Sequence, residues 1–251
     1  MFSFVNRWLA KYKQFQKKRF ERSVAKHLKL VQNPKAVREE RVGAIEYFSS
    51  LTECKIAVPS LLKRFDYSLD HGINDTREKE ACMKGVIQFK EQALPYIKTH
   101  LLMTSRIAWP IKTFSAIGTE EQLVAALQEC LDFSDVSFNQ MKVDKNYDVL
   151  CYLRDHKLPD GGLSLLPFVA NHDERVRFAV VEAILAQKNQ AAAAEMEDLL
   201  LNESEENTRI RQSMIEAYVE NKWAVHLKEK IQPGTLCPGV RVTASYRLEA
   251  F

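Results

Sequence analysis

The sequence predicts an all-α fold, an α-α superhelix of about six stacked helical hairpins, on three observations. A nine-position frame recurs along the chain, starting at Val37, Glu78, Trp109, Asp144, Val176 and Ile210. Two of its columns hold throughout: the sixth position reads Val42, Met83, Phe114, Val149, Val181 and Ile215, and the eighth reads the small set Ala44, Gly85, Ala116, Cys151, Ala183 and Ala217. The starts are separated by 41, 31, 35, 32 and 34 residues, the spacing of solenoids in which each unit buries its face against the next.

On a helix the first, eighth and ninth positions share about 100° of arc, and the sixth widens the stripe so that more than one neighbour must cover it. The small eighth residue lets another helix approach closely. The ninth, Ile45, Val86, Ile117, Tyr152, Ile184 or Tyr218, fills the space beside that contact. The second position is basic at Arg38, Lys79, Lys145, Arg177 and Arg211, and only Pro110 departs. Between the starts a second helix is predicted at 57–62, 93–97, 123–127, 165–169 and 196–200. Pro59, Pro95 and Pro167 mark a start or a kink in three of these.

Taken together, Leu165-Leu166-Pro167, Asp173, Val176-Arg177 and Ala183-Ile184 resemble a HEAT repeat, and Ile210-Arg211 with Ala217 resembles a second. The resemblance to this family covers residues 33–231. It is best at Val37, Val176 and Ile210, whereas at Glu78, Trp109 and Asp144 the first position or the basic residue departs from the pattern. The resemblance implies a ladder along the inside of the stack in which Asp173 and Arg177 take part, with Arg38 and Arg211 matching only its arginine half. It also implies a protein-binding surface, and it does not by itself imply an enzyme.

Residues 1–32 form a basic amphipathic segment, with nine Lys and Arg against Glu21 alone; that is +8, against −5 for the remainder of a chain whose net charge is +3. Phe4, Val5, Trp8, Leu9, Tyr12 and Phe15 make one apolar stripe, with Arg7, Lys11, Lys13, Lys17 and Lys18 mostly opposite. Phe20, Val24, Leu28 and Val31 make a second stripe about a third of a turn away. The segment therefore bends near 16–19 or shows its halves to different neighbours. Either it caps the array, or Phe4, Trp8, Lys11, Phe15, Lys17 and Lys18 meet an anionic membrane surface or an acidic partner, or the two roles share the segment, with 20–32 capping and 2–15 projecting.

Asn33-Pro34 predicts an N-cap and a first-turn proline for a helix through Ile45 to about residue 50. The turn 71–75 is followed by a capping box of Asp75 with Glu78, and Thr119 with Gln122 gives another. Trp109 reads as core. The connection 132–147 is long, with Phe133 and Phe138 expected to tuck into the stack, and Pro159-Asp160-Gly161-Gly162 is a turn. Glu195, Glu197, Asp198, Glu203, Glu205 and Glu206 read as a solvated rim or an acidic docking patch. Residues 232–251 form a tail of β character that lies on the last repeat, extends another sheet or has no order.

Chemistry-bearing patterns are absent from the sequence. The odd set Cys54, Cys82, Cys130, Cys151 and Cys237 fits neither a disulfide framework nor zinc. It points to a reducing cytoplasm, with Cys82 and Cys151 in packing roles. No apolar run is long enough to span a membrane, and the start lacks a signal-peptide core. The histidines have no metal-ligand spacing, and neither a phosphate loop nor a nucleophile elbow occurs. No metal, cofactor or catalytic residue is expected. The expected protein is a cytoplasmic scaffold or adaptor for a protein partner, possible at a membrane periphery through residues 1–15. A nucleic-acid-binding or base-repair solenoid and a small-molecule lyase on the same repeats are the alternatives; the negative body disfavours DNA.

Overall fold

The computed structural model describes residues 2–132, 139–201, 207–226, 236 and 239–250, the side chains of 2–7, 9, 10 and 250 excepted. The chain is mostly helical, and its contacts divide it into two compact units, Met1–Leu123 and Val124–Phe251.

The first unit opens with α1 (Phe2–Val31), a single uninterrupted helix of 30 residues. Its C-terminal half packs on α2 (Arg38–Ser49). Next come α3 (Cys54–Leu62), a 3-10 turn at Lys63–Asp66, α4 (Gly72–Ile87), a 3-10 turn at Lys90–Ala93, α5 (Leu94–Met103) and α6 (Ala108–Ser115). The unit's boundary falls within α7 (Glu120–Gln128). Helix α2 packs on both α3 and α4, α4 on α6, and α3 on α5, so helices meet their sequence neighbours and the helices next but one. Gly85 shows how close the approach is: a Cβ there would lie 2.9 Å from Leu61 Cδ1 and would also strike the Ser49 hydroxyl.

The second unit holds α8 (Gln140–Arg154), a 3-10 segment at Leu163–Phe168, α9 (Glu174–Ala186), α10 (Gln190–Ala194), a 3-10 turn at Glu197–Leu200 and α11 (Thr208–Asn221). Helix α9 lies between α8 and α11 and packs on the Leu163–Phe168 segment. The tail forms an antiparallel pair, β1 (Val240–Val242) with β2 (Leu248–Ala250), and β2 packs on α11. In the described part of the tail, 236 and 239–250, the second strand lies on the last helix, one of the three arrangements expected.

Several sequence expectations change. Val37 is the N-cap of α2 and is 59% exposed, whereas Val176 and Ile210 lie three residues past their N-caps, Asp173 and Asn207, and are closed to solvent. The first frame therefore begins at the helix boundary, three residues earlier in its helix than in α9 and α11, while its eighth and ninth positions, Ala44 and Ile45, are buried as they are at Ala183 and Ile184. Asn33 does not cap α2. Its Oδ1 accepts from Lys35 N at 2.9 Å within a turn, and the helix starts at Arg38. Asp75 and Glu78 form no capping box, because α4 has already begun at Gly72 with His71 as N-cap. The Thr119–Gln122 box is present in both directions, at 3.0 and 3.3 Å. Pro95 lies in the first turn of α5, but Pro59 lies inside α3 and Pro167 inside a 3-10 segment.

Candidate functional site

The two halves of α1 have different surroundings. From Phe20 onward it is fastened to the first unit: the His27 ring stacks on Tyr47 at 3.9 Å, Val31 is fully buried, and the Tyr67 hydroxyl donates to the Val31 carbonyl at 2.7 Å. Burial, ahead of the opposing Arg64 and Arg41 charges, pushes the Tyr67 pKa up to about 12, so it stays a proton donor at neutral pH. From residue 11 to residue 19 every side chain is exposed. Trp8, Tyr12 and Phe15 are 57%, 49% and 61% exposed, and the Trp8 and Tyr12 rings stack at 5.5 Å. Lys11, Lys17 and Lys18 stand in solvent, and Lys17 makes a loose surface pair with Glu21 at 3.9 Å. Phe4 lies outside the described side chains. The structure thus brings the predicted aromatic stripe and lysines onto one projecting helix, whose apolar face is uncovered by the described residues.

The same unit holds a buried ionic cluster that joins α2, the 3-10 turn Lys63–Asp66 and α4. Glu78 accepts from Arg41 Nη2 at 2.9 Å and from Arg64 Nε at 2.8 Å. Asp75 accepts from Arg64 Nη2 at 2.8 Å and Lys79 Nζ at 2.7 Å. Arg41 also donates to the Pro34 and Ala36 carbonyls. Burial raises the Glu78 and Asp75 pKa values, but the cationic donors outweigh it and hold both below the usual carboxylate range. Every member uses its charge on another member, which makes the cluster a fastener between helices. Sequence reasoning missed it because Arg41 and Glu78 lie 37 residues apart.

In the second unit the predicted ladder residues take local roles. Asp173 caps α9 through the Arg175 and Val176 amides and pairs with Arg175 at 3.1 Å. Arg177 donates to the Asn171 and His172 carbonyls at 3.0 and 3.2 Å. Arg211 is buried, while Arg38 is exposed as the first residue of α2. Of the small column, Ala44 and Ala183 are buried and Ala217 is half-buried; Ala116 is exposed, because α6 ends at Ser115 and leaves it as the C-cap.

Asn207 repeats the Asp173 cap on α11, and the second residue of each helix reaches back over an aromatic ring. Arg175 lies 5.7 Å above Tyr147, and Arg209 lies 4.3 Å above Phe178. The signal for this was available in Asp173-Glu174-Arg175-Val176-Arg177 and Asn207-Thr208-Arg209-Ile210-Arg211. An open groove of about 420 Å³ runs along Phe178, Arg209 and Gln212. Glu197 does not belong to a solvated rim. It is buried, accepts from the Tyr218 hydroxyl at 2.8 Å and from the His226 amide at 2.8 Å, and fixes the chain after α11. Glu203, Glu205, Glu206, Phe133, Phe138 and Cys237 lie outside the described residues.

No described helix is long and apolar enough to cross a membrane, and no described group of three His, Cys, Asp or Glu could hold a metal ion. No family model, curated protein or solved structure matches this chain.

Proposed function

We propose that this chain is a cytoplasmic, non-enzymatic adaptor built as a HEAT-like α-solenoid, with a protein partner for its helical body and a second surface for its N-terminal helix. The observation that carries this reading is the packing of helices across an intervening element: α2 on α4 and α4 on α6 in one unit, and in the other α8 on α9 across the Leu163–Phe168 3-10 segment and α9 on α11. Stacking of this kind builds long exposed faces and open grooves, and binding by such proteins is spread over several units. The HEAT likeness is supported most directly by α9 and α11, which share an N-cap, an arginine at the second helical residue and a buried Val or Ile at the third.

Affinity capture with chemical cross-linking, using the intact chain in its native cell, tests the reading. The expected result is a stoichiometric protein partner cross-linked to the body, with capture weakened by an Arg175→Glu, Arg209→Glu double variant. Recovery dominated by nuclease-sensitive nucleic acid would replace the adaptor with a nucleic-acid-binding solenoid. Turnover of a small molecule with no partner captured would favour a lyase.

A further inference from the structure

The outward side of α1 is a single strip that continues beyond the aromatic residues. Trp8, Phe15, Arg22 and Lys29 follow one another at seven-residue intervals, and so do Tyr12, Arg19 and Lys26. Seven residues bring an α-helix back to within about 20° of its starting direction, so these two columns lie side by side along the whole element. All seven side chains are exposed, while Phe20, Ser23, Val24, His27, Leu28, Leu30 and Val31 on the other side are half-buried or buried. Among the described residues, none of Arg19, Arg22, Lys26 and Lys29 has a carboxylate in ion-pair range; the ion pair within α1 is Lys17 with Glu21. One face thus carries three aromatic rings, then four cations, over about 32 Å at 1.5 Å per residue.

We propose that this strip docks α1 in the plane of an anionic lipid membrane. Trp8, Tyr12 and Phe15 enter the interfacial layer, and Arg19, Arg22, Lys26 and Lys29 lie against lipid phosphates and carboxylates. The proposal rests on the adaptor reading and names what the N-terminal helix engages. Three features select a lipid surface. Trp and Tyr are the side chains that settle at the headgroup level. A flat surface accepts rings and cations in one line, where a protein would need an apolar groove continuous with an acidic row. The charge complement is also lopsided, +8 in residues 1–32 against −5 elsewhere, so an anionic surface attracts this segment and repels the remainder.

The test uses the full chain and sedimentation with vesicles of phosphatidylcholine alone or with about 30% phosphatidylserine, where each cation near the surface counts about fivefold in affinity. The intact chain should bind the anionic vesicles, release them as salt rises, and shift its tryptophan emission to the blue, a shift that Trp8→Phe abolishes. An Arg22→Gln, Lys26→Gln, Lys29→Gln variant should bind on the order of 100-fold more weakly. Lys13→Gln, which removes charge from another side of the helix, should stay within about threefold. Equal losses in the two variants, or no vesicle binding by the intact chain, would overturn the lipid proposal. So would tighter binding to duplex DNA than to vesicles, which would turn the strip into a nucleic-acid surface. Capture of the body's protein partner in the same variants separates this failure from failure of the adaptor reading, and unchanged melting shows that the variants fold.

Discussion

Arg64 Nε stands 2.8 Å from Glu78 Oε2 with both side chains closed to water, and the same carboxylate holds Arg41 from the neighbouring helix α2. Glu78 is therefore the joint on which two buried guanidinium groups depend. Replacing it with Gln keeps the shape, leaves Arg41 without its carboxylate and leaves Arg64 with Asp75 alone. The expected loss is about 3–5 kcal/mol, a large part of an ordinary domain's stability. Urea denaturation of Glu78→Gln against the parent measures it.

The same cluster sets an acid limit. Glu78 and Asp75 have folded-state pKa values below their ordinary 4.5 and 3.8, so the unfolded chain takes up protons first as pH falls. Their contribution is complete above about pH 5 and is lost as pH drops through the folded values. The urea midpoint of the parent should fall between pH 5 and pH 3, and Glu78→Gln should show a shallower fall over the same range. Equal slopes would mean that Glu78 is not held in the way the geometry shows.

Gly43 and Gly85 both lie inside helices but should answer the same substitution with opposite signs. Nothing lies within 4 Å of a Cβ added at Gly43, so Gly43→Ala gains helix propensity and should stabilise by about 0.5–1 kcal/mol. At Gly85 the added carbon meets Leu61 Cδ1 and Ser49. The overpacking there, about 1–3 kcal/mol, exceeds the propensity gain, so Gly85→Ala should destabilise. Thermal denaturation of the two variants decides the sign of each.

Ala183 and Ala116 separate the part of the frame that was legible from the part that was not. Ala183 is buried inside α9, and Ala183→Phe should cost about 1–3 kcal/mol. Ala116→Phe, at an exposed helix end, should stay within about 0.5 kcal/mol. Parent-like melting by Ala183→Phe would break the claim of a close contact on this column.

Periodicity found the helical class, and in α9 and α11 it also found the register, because there an Asx cap precedes the first apolar position by three residues in both elements. At Val37 it found the buried positions Ala44 and Ile45 but placed the helix start too early, because no side-chain cap marks the start of α2. The burial of Glu78 and Glu197 was not legible. Each is an acid whose partners lie 14 to 37 residues away, and only the packed helices bring them together. The expected split of α1 into two stripes was readable from spacing alone. What spacing did not give was that one unbroken helix carries both.

That helix yields the last prediction. Its C-terminal half is held by the burial of Val31 and by the Tyr67 hydroxyl on the Val31 carbonyl, whereas the side chains from 11 to 19 touch solvent. Val31→Ala removes two buried carbons and should cost about 1–3 kcal/mol. Tyr67→Phe deletes one hydrogen bond to the last turn and should cost about 0.5–1.5 kcal/mol. Phe15→Ser exchanges one exposed side chain for another and should change stability by less than about 0.5 kcal/mol. Denaturation of the three variants, with hydrogen exchange over residues 2–32, gives the readout. In Val31→Ala the protection of residues 20–31 should fall together with that of α2, because the two are packed as one. In Phe15→Ser it should stay at the parent level. If Phe15→Ser costs as much as Val31→Ala, the front half of α1 is part of the cap and is not free to meet a second surface.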